Sequence, residues 1–105
     1  MQSNYHESQY NIFSEYEQIY GRATLGSMSS FTWNSDPKRL LFTLSRYKSV
    51  ASILRGSKHV MEVGCGDSFA SRIVCQSAEK LTVTDIDSEL ISQAKKLSCE
   101  PYKYD

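Results

Sequence analysis

The chain has few of the residues that mark specialised protein classes. It contains three cysteines, two histidines and two prolines among 105 residues. The cysteines Cys65, Cys75 and Cys99 are odd in number and form no Cys-x-x-Cys pair, and His6 and His59 are not spaced with them as zinc ligands usually are. The sequence therefore predicts neither a disulfide framework nor a zinc site.

The chain also lacks an excess of charge of either sign and a long apolar run. Twelve Lys and Arg residues balance twelve Asp and Glu residues, which argues against a nucleic-acid partner because such binding needs many neutralised phosphates. No apolar run approaches the roughly 20 residues that span a bilayer, and the first ten residues lack the charged-then-apolar order of a secretion signal. We therefore expect no membrane association and a cytoplasmic location.

What remains is the composition of one small globular domain, with 40% hydrophobic residues. The amino-acid composition of the chain changes near Ser35. Residues 1–35 form an arm of polar and aromatic residues, in which helical spacing predicts a helix over about Ser8–Tyr20, followed by a loop over Gly26–Ser35. The aromatic residues of this arm have two interpretations: they pack on the core, or they form a lid over a ligand.

The clearest helix signal begins at Asp36 and Pro37. A carboxylate can cap the first free amides of a helix, and proline suits its first turn. Arg55 and Gly56 provide a basic last turn and a stop, so the pattern predicts an amphipathic helix over Pro37–Arg55. One apolar face of this helix is marked by Leu40, Leu44, Tyr47, Ala51 and Leu54.

Residues 36–105 alternate between strand-like and helix-like patterns. Alternation of this kind predicts an α/β domain in which helices pack on a parallel sheet. The expected elements are the helix Pro37–Arg55, a strand His59–Val63, a helix over Ser68–Gln76, a strand Leu81–Ile86, a helix from Asp87 or Ser88 to Leu97, and a weaker third strand over Pro101–Tyr104.

The segment that carries chemistry is the turn Glu62-Val63-Gly64-Cys65-Gly66-Asp67-Ser68, with Asp85 following 19 residues after Gly66. Glycines are needed where the chain leaves a strand if a ligand is to lie against the backbone. An acid at the end of the next strand projects into the same crevice, where it can accept hydrogen bonds from both hydroxyls of a ribose. The pattern therefore indicates a nucleoside-binding turn.

These residues resemble the first motif and the following acidic residue of class I S-adenosylmethionine-dependent methyltransferases, and the resemblance covers residues 59–97. It implies a Rossmann-like fold and S-adenosylmethionine as cofactor. It further implies that the turn, with Gly64, Cys65, Gly66, Asp67 and Ser68, lies under the methionine part of the cofactor. The other roles that it implies are orientation of the cofactor ammonium by Glu62, binding of the ribose by Asp85, an apolar border to the adenine from Ile86, and contact of Arg46 with the cofactor carboxylate.

A pyridine-dinucleotide site is the main rival, because it also combines a glycine-rich turn with an acid about 20 residues later. Its third glycine would stand at position 69, where this chain has Phe69. In addition, Glu62 would repel a pyrophosphate, whereas it attracts a cofactor that carries an ammonium and a sulfonium. The residues therefore favour the methyltransferase resemblance.

The turn also departs from that family, because Ser68 stands at the third glycine position of its motif. Serine is small, and we expect the turn to survive with Ser68 capping the following helix. A purely structural reading remains for the glycines, as a strand-to-helix turn without a ligand. Catalysis by Cys65 is not indicated, since no histidine is in register to activate it.

Complete members of the family have seven strands, whereas this chain shows about three, so we expect a truncated Rossmann-like domain over residues 36–105 that is preceded by the arm 1–35. No catalytic residue can be named. With the family's strand order 3-2-1, the strand Val60–Val63 lies at an edge, which self-association or a partner would cover. Two functions follow: the cofactor-binding N-terminal portion of a methyltransferase with an unidentified acceptor, or a truncated, non-catalytic module that binds S-adenosylmethionine or S-adenosylhomocysteine or assembles with itself or a partner.

Overall fold

The computed structural model describes residues 4–105, and their side chains from Ser8 onward. Within these residues the chain is a mixed α/β domain of five helices and a two-stranded parallel sheet. The elements are α1 (Asn4–Tyr20), α2 (Ser27–Ser35), α3 (Pro37–Ile53), β1 (His59–Val63), α4 (Ser71–Cys75), β2 (Lys80–Thr84) and α5 (Ser88–Leu97). The alternation of strand and helix that the sequence predicts after Pro37 is confirmed in this order.

The sheet pairs β1 with β2 in parallel, from His59 opposite Lys80 to Val63 opposite Thr84. Among the described residues β1 pairs with no other strand, so it lies at an edge as expected. The other side of β2 is met by main-chain atoms of Asp105, whose carbonyl accepts from the Val83 amide at 2.7 Å.

The expected third strand over Pro101–Tyr104 does not form. The Tyr104 amide donates to the Ser98 hydroxyl at 2.8 Å rather than to a neighbouring strand. Its side chain is buried in the core, with the phenol oxygen 3.2 Å from the Ser68 carbonyl oxygen. Of these last residues, Asp105 bonds to the main chain of β2 twice, donating to the Leu81 carbonyl and accepting from the Val83 amide.

The hydrophobic core lies on one face of the sheet, under α3 and α4. It is centred on Ala51, Val74, Leu81 and Tyr104. The predicted apolar face of α3 is confirmed, since Ala51 is buried and the other four positions of that face are partly buried. Burial of this face fixes α3 beside β1, where it forms one wall of the site described below.

Several helix ends differ from the sequence prediction. Helix α3 ends at Ile53, so Arg55 lies beyond it, and the Asp36 side chain makes no capping hydrogen bond. Helix α4 begins at Ser71 rather than Ser68, because Ser68 has a φ of 66° and a left-handed residue cannot belong to a right-handed helix. Asp87 does cap α5, accepting hydrogen bonds from two backbone amides of its first turn.

The loop expected over Gly26–Ser35 is wrong, because these residues form helix α2. Its N-cap residue, Gly26, has no side chain to accept from the free amides. Asp67 supplies the missing acceptor: its Oδ2 accepts from the Ser29 amide at 2.8 Å, across 38 residues of sequence. A cap that comes from so far along the chain leaves no local signal.

Helix α1 begins at Asn4, earlier than predicted, and stands apart from the core. Tyr10 and Phe13 are at least 70% exposed and do not pack on the core, whereas Tyr16 and Tyr20 line a depression with Phe69, Arg72 and Leu97. No helix among the described residues is long and apolar enough to cross a bilayer.

Candidate functional site

A cavity of about 370 Å³ lies at the carboxyl end of β1. Its floor is the turn Gly64–Asp67, its walls come from α2 and α3, and Asp85 and Leu90 stand at its rim. Pockets that hold small molecules in proteins have volumes of about 300–1,000 Å³. The cavity therefore has the size of a small-molecule site and lies where ligands bind in open α/β sheets.

The glycine turn is fixed to the end of β2. The amides of Gly64 and Cys65 both donate to the Thr84 carbonyl, at 2.8 and 2.9 Å. Gly64 and Gly66 have φ values of 78° and 62°, in the left-handed region that favours glycine. A Cβ atom at Gly64 would meet nothing within 4 Å, so the space above this residue is open to a ligand.

Asp85 joins the turn to the start of α5. Its Oδ2 accepts from the Gly66 amide at 2.9 Å, and its Oδ1 accepts from the Asp87 amide, also at 2.9 Å. These two backbone hydrogen bonds, that from Asp87 foremost, lower the pKa of the carboxyl. Asp85 is half-exposed, and each ionised oxygen has a further lone pair that can accept from a ligand hydroxyl.

Glu62 lies behind the turn rather than in the cavity wall. Its two oxygens accept from the hydroxyls of Tyr47 and Ser71, each at 2.5 Å. Burial raises the pKa of the Tyr47 phenol, and its hydrogen bond to Glu62 raises it further. The carboxylate that the resemblance assigns to a cofactor ammonium thus ties α3 to α4 in this structure.

Ser68 extends this polar cluster and adopts a backbone conformation that favours glycine. It is 1% exposed and has a φ of 66°, a conformation that costs a non-glycine residue about 1–2 kcal/mol. Its hydroxyl donates to the Ser71 oxygen at 2.6 Å, in place of the cap expected for the next helix.

Helix α2 lies directly on the glycine turn. A Cβ atom at Gly26 would stand 2.4 Å from the Asp67 Cβ, so only glycine permits this approach. A Cβ atom at Gly66 would stand 2.9 Å from the Met28 sulfur, which places Met28 over Gly66. In the arm, α2 and not the aromatic α1 forms a wall of the cavity.

The three remaining site residues that the sequence predicts lie in different surroundings. Arg46 lines the cavity and makes no hydrogen bond or ion pair with any described residue, so its guanidinium is available to an anion. Ile86 is fully exposed and lines a neighbouring depression with Ser88 and Ile91. Cys65 is buried in the turn, and burial raises the pKa of its thiol, which keeps it in the unreactive protonated form.

The structure thus gathers most of the predicted site residues around one cavity: Gly64, Cys65, Gly66, Asp67, Asp85 and Arg46. It does not bring Glu62, Ser68 or Ile86 to that wall. Sequence reasoning missed Met28 and Thr32 on α2, which left no signal, and Thr43 and Tyr47 on α3. The last two could have been found, since they follow Leu40 at the helical spacing of three and seven residues.

Comparison with known proteins gives no match, whether with family models, with curated proteins or with solved structures. The function is therefore inferred from the chemistry of the cavity.

Proposed function

We propose that the cavity binds S-adenosylmethionine or its demethylated product, S-adenosylhomocysteine, and that the chain is a Rossmann-like domain of a class I methyltransferase that acts on an unidentified acceptor. The observation that carries the proposal is the 2.9 Å hydrogen bond from the Gly66 amide to the Asp85 carboxylate. It brings the glycine turn and the acid of the next strand to one cavity, as binding of a ribose beside a glycine turn requires.

The residues present fit such a cofactor. Asp85 can accept from the two ribose hydroxyls, the open space above Gly64 can receive the chain that joins ribose and sulfur, and Arg46 can pair with the terminal carboxylate. When bound, S-adenosylmethionine supplies a methyl group on a sulfonium. A sulfonium and an ammonium are favoured beside the carboxylates of Asp67 and Asp85, which would repel the pyrophosphate of a dinucleotide.

Calorimetric titration tests the binding proposal directly. S-adenosylhomocysteine should bind, and NAD should not. Asp85→Asn should weaken binding about 10- to 100-fold, since hydrogen bonds to a charged group contribute about 1.5–3 kcal/mol. Asp36→Asn, at a carboxylate whose side chain caps nothing, should bind as the wild type does. Absence of heat with S-adenosylhomocysteine, or a preference for NAD, would reject the proposal.

A second ligand tests whether Arg46 binds the carboxylate of the cofactor. Methylthioadenosine retains the adenosyl group and the sulfur but has no amino-acid carboxylate. Arg46→Ala should therefore weaken S-adenosylhomocysteine and leave methylthioadenosine unchanged, because the lost ion pair involves only the carboxylate. Equal weakening of both ligands would mean that Arg46 does not bind that group.

Binding without turnover is a second candidate function, because Met28 lies over Gly66 and takes up space beside the turn that a methyl acceptor would need. If Met28 restricts the cavity, Met28→Ala should tighten binding of S-adenosylhomocysteine. Incubation with tritiated-methyl S-adenosylmethionine and candidate acceptors distinguishes the two functions: label in an acceptor supports the enzyme, whereas tight binding with no transferred label supports the binding module.

A further inference from the structure

Helix α1 presents an apolar face, flanked by acidic residues, that is largely exposed. Among the described residues, only Tyr16 and Tyr20 of this face line a depression shared with the rest of the domain. Ile12, Phe13, Tyr16, Ile19 and Tyr20 recur at helical spacing on one side, and they are between 41% and 71% exposed. The helix contains three glutamates and no lysine or arginine. A helix of this length has little stability without packing of its apolar side, so this face calls for a partner surface.

The acidic residues of α1 flank its apolar side in the C-terminal half of the helix. Glu15 and Glu17 lie about 100° to either side of the centre of the apolar face, at 100° per residue. Glu17 shares an ion pair with Arg22 at 2.7 Å, whereas Glu15 makes none with the described residues. The face therefore favours a basic counterpart.

The outer face of α3 has the opposite charge. Phe42, Val50 and Ile53 are spaced by eight and three residues along the helix, on the side away from the core, and they are at least 43% exposed. Lys38 and Arg39 extend the same side toward the N-terminus of the helix. The helix contains four basic residues and no acidic one.

The two helices also match in length and in the distribution of charge along them. Both have 17 residues, which corresponds to about 25 Å at the rise of an α-helix. Glu15 and Glu17 stand in the C-terminal half of α1, and Lys38 and Arg39 stand in the first turn of α3. An antiparallel arrangement therefore places opposite charges together while the apolar side chains meet.

We propose that α1 of one copy packs antiparallel on the outer face of α3 of a second copy, and that the reciprocal contact closes a two-fold symmetric dimer. A groove of about 410 Å³ continues this face to the free edge of β1, with Val50, Val60 and Met61 in its wall. Aromatic side chains of the second copy's α1 fill this groove. The dimer thereby shields the uncovered strand edge from further pairing.

Two charge-reversal variants, one on α1 and one on α3, test the contact between the two copies. One variant carries Glu15→Lys with Glu17→Lys, and the other carries Lys38→Glu with Arg39→Glu. By light scattering across a dilution series, the wild type should reach twice its mass of 12.0 kDa. Each variant alone should have a dimer dissociation constant raised at least about tenfold, because like charges then face each other. An equimolar mixture should form dimers again, since both contacts of the mixed pair are complementary.

The control places the same charge change elsewhere. Lys48→Glu with Lys58→Glu alters a residue on another side of α3 and one in the following loop, and it should leave the mass unchanged. Circular dichroism establishes that each variant is folded. A wild type that stays monomeric, charge variants that dimerise as the wild type does, or a mixture that fails to associate would each overturn the proposal.

Discussion

The backbone amide of Ser29 donates a 2.8 Å hydrogen bond to the buried carboxylate of Asp67, and this bond connects the N-terminal arm to the glycine turn. The Ser29 hydroxyl donates to the other oxygen at 3.1 Å. A carboxylate at the N-terminus of a helix is favoured by the free amides and by the helix dipole. The arm therefore belongs to the structure of the site, and its position depends on a residue of the turn.

Gly26→Ala should destabilise the protein by about 1–3 kcal/mol, the usual cost of added volume in a packed contact. The new Cβ would stand 2.4 Å from the Asp67 Cβ, so α2 must move away. Urea unfolding measures the loss in free energy. In an Asp67→Gly background the same change should have little further effect, because the atoms that it meets are gone. Additive effects would show that the two residues do not meet.

Tyr47→Phe should lower the free energy of unfolding by about 1–3 kcal/mol, because Glu62 loses one of its two hydroxyl donors in a partly buried position. Tyr102→Phe is the matched control. The Tyr102 hydroxyl makes no hydrogen bond with the described residues, so its loss should cost about 0.5 kcal/mol or less. Equal costs for the two variants would contradict the role given to Glu62.

Two substitutions at Ser68 distinguish the cost of its backbone conformation from the contribution of its hydroxyl hydrogen bond. Ser68→Ala keeps the φ of 66° and loses the hydroxyl, whereas Ser68→Gly loses the hydroxyl and relieves the strain. The glycine variant should therefore be more stable than the alanine variant by about 1–2 kcal/mol. Thermal or urea unfolding of the two proteins gives this difference, and alanine as the more stable of the two would contradict the left-handed conformation.

The contribution of Asp85 should depend on pH. Its pKa in the folded protein lies below the ordinary value of an aspartate, so the stabilisation is fully present above that ordinary value and is lost as the pH falls through the lower, folded pKa. The difference in unfolding free energy between wild type and Asp85→Asn should be larger at about pH 7 than at about pH 3. Urea unfolding at both pH values measures this difference. A difference that grows on acidification would contradict the lowered pKa of Asp85.

The sequence alone determined the elements whose signals are local. Helix α3 was predicted from its apolar spacing, and β1, β2 and α5 from a change in period together with the cap at Asp87. The glycine turn and Asp85 were singled out because a parallel strand-helix-strand unit brings the two strand ends together, whatever else the chain does. These features depend on residues close to one another along the chain.

Only the tertiary structure decided what lies around that turn. Helix α2 exists because Asp67 caps it across 38 residues, and the Ser- and Asn-rich stretch by itself indicates a loop. Glu62 meets Tyr47 and Ser71 because α3 and α4 pack against each other beside the end of β1, which no spacing in the sequence encodes. Tyr104 is drawn into the core, so the last residues do not form the expected strand. In each case a contact between distant segments outweighed the local preference.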